Sequence, residues 1–215
     1  MRIVIAGGHG QVARLLEQAL VARGDTAVGL VRNPDHVADL QSDGAEAVVL
    51  DLEQAGVDEV AHALDGADAV VFAAGGGPNS GAARKDTVDR GAAVLLAQAA
   101  EQAGVRRYVM VSAMGTENAD PDSDDVFQVY LRAKQAADDD LRSRDLDWTV
   151  VRPGRLTDDP ATERVQVGRL DRGQVPRADV AKVLAEVLVT DGTIGRTFDL
   201  LSGHQTVEAA LSRLP

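Results

Sequence analysis

Tyr130 and Lys134 stand four residues apart in Tyr130-Leu131-Arg132-Ala133-Lys134, a spacing that puts both side chains on one face of a helix. An ammonium beside a phenol favours the phenolate, so this pair suits the exchange of a proton with a carbonyl or an alcohol. A second chemistry-bearing stretch lies near the start of the chain, where Gly7-Gly8-His9-Gly10-Gln11-Val12-Ala13 follows an apolar run and opens a helical one. Gly7 there permits a tight turn, Gly10 lets a pyrophosphate approach the backbone, and Ala13 lets helix and strand pack closely. The unpaired N–H groups of the helix start, at Gln11 and Val12, would face that anion at the positive end of the helix dipole.

Arg32 follows the second apolar run, 22 positions beyond Gly10. A carboxylate at that place binds a ribose 2′-OH, whereas a guanidinium holds a 2′-phosphate by charge-assisted bonds. The residue type therefore predicts NADP(H) in preference to NAD(H). Asp51 and Leu52, after the third run, are placed to edge the adenine. Ala73-Ala74-Gly75, after the fourth, would pass close to the cofactor, where larger side chains could clash.

The elements that must position these residues follow from hydrophobic rhythm. Short apolar runs at Arg2 to Ala6, Ala27 to Val31, Ala47 to Leu50, Ala69 to Ala73, Arg107 to Ser112 and Trp148 to Val151 read as strands. Between them, Val12 to Arg23, Asp35 to Gln41, Val57 to Leu64, Thr87 to Ala103 and Asp125 to Arg144 have apolar residues at helical spacing. That alternation predicts an α/β fold with a Rossmann-type, doubly wound parallel sheet buried on both faces. Beyond Pro153 the rhythm weakens to a loop, a helix near Ala178 to Val189, a strand at Thr197 to Leu201 and a last helix. The whole of 1–215 reads as one domain, with 153–215 contributing the substrate side. The acidic stretch Asp120 to Asp125 reads as an exposed, mobile loop.

Composition narrows the classes of function. The chain has 34 Asp and Glu against 22 Lys and Arg, a net charge of −12, and only 3% aromatic residues, so no nucleic-acid partner is expected. Without Cys, and with His9, His36, His62 and His204 scattered, it offers no metal-ligand spacing and no thiol chemistry. No apolar run approaches the roughly 20 residues of a membrane span, and the first residues read directly as a strand, so a cytoplasmic protein without a membrane partner is expected.

The chain resembles the atypical short-chain dehydrogenase/reductases, particularly their NmrA-like and NAD(P)-dependent epimerase/dehydratase-like branch. The resemblance rests on Gly7 to Ala13, Val31-Arg32-Asn33-Pro34, Asp51-Leu52, Thr87 to Ala92, Tyr108 to Ser112, Tyr130 to Lys134, Val151-Arg152-Pro153-Gly154 and Arg177 to Ala181. It implies a Rossmann domain with a small C-terminal substrate region, Lys134 on the nicotinamide ribose, and the loop at Pro153 near the nicotinamide. Catalytic members of the family use Asn, Ser, Tyr and Lys together. Here Asp89 stands where Asn is usual, and either Ser112 or the Met114 position matches the family's Ser. Two functions follow from the resemblance: an oxidoreductase or epimerase acting on a small carbonyl or alcohol, with Tyr130 as proton donor and Ser112 holding the oxygen, or a non-catalytic NmrA-like NADP(H) redox sensor. Neither the substrate nor the oligomeric state is written in the residues; the segments 76–84, 116–126 and 155–173 are expected to line the substrate pocket.

Overall fold

The computed structural model describes residues 1–77 and 80–214. In chain order the elements are β1 (Arg2–Ala6), α1 (Gln11–Arg23), β2 (Thr26–Val31), α2 (Val37–Ser42), β3 (Glu46–Val49), α3 (Val57–Ala63), β4 (Ala69–Phe72) and α4 (Ala82–Arg84). A π-helical segment (Lys85–Ala92), α5 (Ala93–Ala103), β5 (Arg107–Val111), α6 (Val126–Arg142) and β6 (Asp147–Pro153) follow. The chain ends with β7 (Arg155–Thr157), β8 (Val165–Gly168), β9 (Gln174–Pro176), α7 (Arg177–Val187), β10 (Arg196–Ser202) and α8 (Val207–Leu211).

Eight strands form one sheet in the order β3-β2-β1-β4-β5-β6-β10-β8, parallel except for β8 against β10. Alternation along each strand sends side chains to both faces, and both are covered. Ile3 and Ile5 of β1, Val109 of β5 and Val151 of β6 join Leu16 and Leu20 of α1 and Val180 and Leu184 of α7 in one core layer. Val4 and Ala6, Tyr108 and Met110, and Val150 face Val60 of α3, Leu96 and Ala100 of α5, and Leu141 of α6 in the other. β1 pairs with β2 on one side and β4 on the other, which makes its carboxyl end the point where strand order reverses. Doubly wound sheets open their ligand crevice at that point. The Gly7–Ala13 turn lies there, and Tyr130 and Lys134 reach the same end of the sheet from α6.

The fold differs from the sequence expectation in two places that matter for the site. The helix expected from Thr87 begins at Ala82 and widens into the π-helical segment before settling into α5. Hydrophobic spacing cannot register one inserted residue per turn, and π-turns gather at functional sites. The loop expected after Pro153 contains β7, β8 and β9, with β7 and β9 paired as a small parallel ribbon. Strands of three or four residues among Asp, Thr and Gly are too short for alternation to show. The acidic stretch is largely exposed, but its end is structural: Asp125 caps α6 by accepting from the N–H groups of Phe127 and Gln128. Among the described residues no helix is long and apolar enough to cross a membrane.

Candidate active site

The glycine turn is forced by its neighbours. Gly7 has φ +82°, and a Cβ there would lie 2.7 Å from Cα of Ala74 after β4. A Cβ on Gly8 would lie 2.6 Å from Cα of Gly29 in β2. Gly10 is different. It is the N-cap of α1, and its Cβ would crowd only the Gly7 carbonyl oxygen, at 3.0 Å. No side chain caps α1, and its first turn holds no acidic residue. The N–H groups at that end thus face outward without a side-chain partner, as an anion site requires.

Beside them a cavity of about 330 Å3 is lined by Gly7, Gly10, Arg32, Asp51, Leu52, Ala73, Ala74 and Gly75, all expected from the sequence to hold the cofactor. An uncapped helix start and a guanidinium in one cleft fit the phosphates of a dinucleotide. Gln11 lies instead along a neighbouring hollow with Arg14 and Arg177, and the Val12 side chain packs against the core, so neither side chain lines this cleft. His9, His36, Glu53 and Arg84 also line the cleft and were not foreseen from the sequence. Arg32 is half-exposed, 3.5 Å from Glu53, which also accepts from Arg84 at 2.8 Å and Thr87 at 2.7 Å. Against burial that would raise it, the bonds from Thr87 and Arg84 hold the Glu53 carboxyl below its ordinary range. Because the Gly7 carbonyl oxygen is the one tight contact of a Cβ on Gly10, Gly10→Val is expected to leave the protein folded, at a modest cost in melting temperature, while abolishing dinucleotide binding. Calorimetry and thermal melting check the two halves separately, and retained binding would remove the glycine turn from the site.

Behind Ala74 and Gly76, which line the cleft, three side chains come together. Lys134, almost fully buried, places Nζ 3.2 Å from the Val111 carbonyl, 3.4 Å from that of Ala74 and 3.4 Å from Oδ1 of Asp89. The last is a charge contact without hydrogen-bond geometry, since Asp89 Oδ1 has no hydrogen-bond partner among the described residues. Asp89 Oδ2 accepts from the Gly76 N–H at 3.1 Å, tying the π-helical segment to the glycine loop after β4. Tyr130 lies one turn before Lys134 on α6. Burial, and then the negative charges of Asp89 and Asp138, push its phenol above the ordinary tyrosine range. The structure therefore corrects the expectation that Lys134 lowers the Tyr130 pKa: the ammonium is directed at Asp89 and two carbonyls, and the phenol stays neutral.

Ser112 departs further. Its hydroxyl donates to Asp138 Oδ2 at 2.9 Å, and the same oxygen accepts from Arg152 Nη2 at 2.9 Å and Nε at 3.0 Å. Burial pushes the Asp138 carboxyl up, while Arg152 and Ser112 pull it down. The Ser112 donor is thus engaged in a buried network under α6, turned from the role of gripping a substrate oxygen. Met114 offers only its backbone, which donates to the Pro153 carbonyl at 3.1 Å. Pro153, at the end of β6, is itself buried. Lys85, not foreseen from the sequence, is buried with Nζ 2.7 Å from the Gly77 carbonyl and 5.2 Å from the centre of the Tyr130 ring.

A doubly wound sheet with an uncapped glycine-turn helix at its switch point defines a nucleotide-cofactor protein of the Rossmann class. Residues 7–191 match the profile of the NAD(P)H-binding family, and the chain belongs to that family. It is 34% identical over 216 residues, and over the full length of both chains, to the uncharacterized sugar epimerase YhfK of Bacillus subtilis. It is 38% identical to a Bacillus halodurans protein of solved structure, provisionally assigned as an NAD-dependent epimerase/dehydratase, with a TM-score of 0.92 and both chains covered completely. The oxidoreductase ylbE of Lactococcus lactis is 30% identical, with a TM-score of 0.88 over 99% of this chain and 95% of that one. The relatives therefore include proteins named for redox and for epimerase chemistry.

Proposed function

We propose that the protein is an NADP(H)-dependent reductase of a small carbonyl compound, with Tyr130 as the proton donor. The observation that carries this reading is the buried Lys134–Asp89 contact, one helical turn from Tyr130 and bonded to the Ala74–Gly76 stretch that lines the same cleft as the uncapped helix start and Arg32. When bound, the nicotinamide supplies hydride chemistry. This chain's own residues do the rest. The α1 N-terminus holds phosphate, Arg32 holds the 2′-phosphate, Lys134 fixes Asp89 and the carbonyls of Ala74 and Val111, and Tyr130 delivers a proton to the developing alkoxide. A neutral phenol favours proton donation over abstraction, which supports reduction ahead of an epimerisation begun by a phenolate. Residues 153–215 are assigned to the substrate side. The experiment is loss of NADPH absorbance with a panel of small aldehydes, ketones and quinones. Turnover of a carbonyl is expected, whereas tight NADPH binding with no turnover across the panel would move the assignment to the redox sensor.

Cofactor choice is tested at Arg32. A charge-assisted bond to phosphate is worth about 1.5–3 kcal/mol, so Arg32→Ala is expected to weaken NADPH by about tenfold or more and leave NADH nearly unchanged. Equal losses for both cofactors, measured by titration, would place the 2′-phosphate elsewhere.

A further inference from the structure

The charges of the π-helical segment and its flank pair off with one exception. Arg84 lies 2.8 Å from Glu53, Arg90 lies 2.6 Å from Asp86, and Lys134 lies 3.4 Å from Asp89. Lys85 sits between these pairs in sequence and is 6% exposed, yet it has no carboxylate within ion-pair distance among the described residues. Its hydrogen bond to the Gly77 carbonyl uses one of three ammonium donors. Its other two donors have no hydrogen-bond partner among the described residues, which leaves them open to an anionic acceptor. Lys85, Val88, Asp89 and Ala92 form the buried face of this segment, and of the two charged residues only Asp89 has an opposite charge within ion-pair distance among the described residues.

The surroundings say what carries the anion. The Lys85 ammonium lies against the Tyr130 ring, the side chain placed to protonate a carbonyl oxygen. Phe127 stands next to Tyr130, with ring centres 6.0 Å apart, and is 60% exposed. A cation at the base and an aromatic wall above it suit an apolar body that ends in a carboxylate.

We propose that Lys85 anchors a carboxylate of the substrate, so that the substrate class is an aryl or alkyl carbonyl compound carrying a carboxylate close to the carbonyl. The inference rests on the reading of Tyr130 as the proton donor to the substrate carbonyl. A carboxylate on Lys85 would set the distance between the anchored end and the Tyr130 hydroxyl, which makes Lys85 a specificity-determining residue.

The test needs no knowledge of the natural substrate. The protein saturated with NADP+ is titrated calorimetrically with formate against formamide, benzoate against benzamide, and phenylacetate against phenylacetamide. In at least one pair the carboxylate is expected to bind about tenfold or more tightly than the amide of the same shape. K85M is expected to erase that difference and K85R to keep it, with NADP+ affinity unchanged in both and folding checked by thermal melting. The absence of a carboxylate preference in every pair with the unsubstituted protein overturns the proposal on its own, whatever the variants do. Persistence of the preference in folded K85M overturns it equally. NADP+ affinity, titrated first, reports on the cofactor reading by itself, and a protein that fails to bind NADP+ is carried through the same pairs without it, so the two failures remain distinguishable.

Discussion

Tyr130→Phe is expected to slow carbonyl reduction by about 10²- to 10⁴-fold while leaving NADPH affinity within about twofold of the unsubstituted protein. The substitution keeps the ring, and with it the contacts to Lys85 at 5.2 Å and Phe127 at 6.0 Å, and removes only the ionisable oxygen. A structural role would therefore survive the change, whereas a proton donor would not. The pH profile gives a second readout. Because burial and the charges of Asp89 and Asp138 raise the phenol above its ordinary value, Tyr130 stays protonated through neutral and mildly alkaline pH. Its own ionisation should then add no falling limb to the rate of reduction below about pH 10, the ordinary tyrosine value. Unchanged steady-state rates in Tyr130→Phe would mean that water or the substrate itself supplies the proton.

Glu17→Met is expected to stabilise the protein at neutral and alkaline pH, an effect on the order of 3 kcal/mol at pH 7. Glu17 projects from α1 toward Gly8 and Gly29, is fully buried, and has no hydrogen-bond partner on either carboxyl oxygen among the described residues. Burial, reinforced by the negative charge of Asp43 and only partly offset by Arg14, raises its pKa to about 8. The folded chain thus binds a proton that the unfolded chain, with an ordinary carboxyl near 4.5, has released. Stability must fall as pH rises from about 4.5 to about 8 and then level off on this account. Methionine has similar length and no charge to desolvate, so Glu17→Met should flatten that slope. For a chain of this size the difference should appear as a rise of several degrees in melting temperature at pH 8, about 2–4 °C per kcal/mol, and little change at pH 5. A variant less stable than the unsubstituted protein at pH 8 would show that the carboxylate is satisfied in solution.

What the sequence made legible was what repeats or what has a fixed chemical partner. Strands β1, β2, β4, β5 and β6 are four to seven residues of mostly apolar chain, and they could be bounded to within a residue or two. The glycine turn was readable because a tight turn between a strand and a helix leaves few residue choices at Gly7. Arg32 and Asp51 followed from their offsets along that frame, and the structure puts them in one cleft. Long-range charge partners were not readable. Nothing local links Lys134 to Asp89, Ser112 to Asp138 or Arg32 to Glu53, so the direction of the Tyr130 shift and the engagement of Ser112 appear only in three dimensions. Lys85 was hidden for a related reason. Its partners, the Tyr130 ring and the Gly77 carbonyl, are set by tertiary packing, and a lysine taken by itself reads as a surface residue. Glu17 sits at an interior position of an otherwise regular amphipathic helix, where a carboxylate is expected at the surface.

The central claim, an NADP(H) site built by the α1 N-terminus and Arg32, is tested most directly by calorimetric titration of the unsubstituted protein with NADPH and with NADH under the same buffer and salt. The account predicts saturable binding of NADPH, about tenfold or more tighter than NADH, since the bond from Arg32 to the 2′-phosphate has no counterpart in NADH. Equal affinity for the two cofactors would contradict the assignment of Arg32, and the absence of binding by either would contradict the account as a whole.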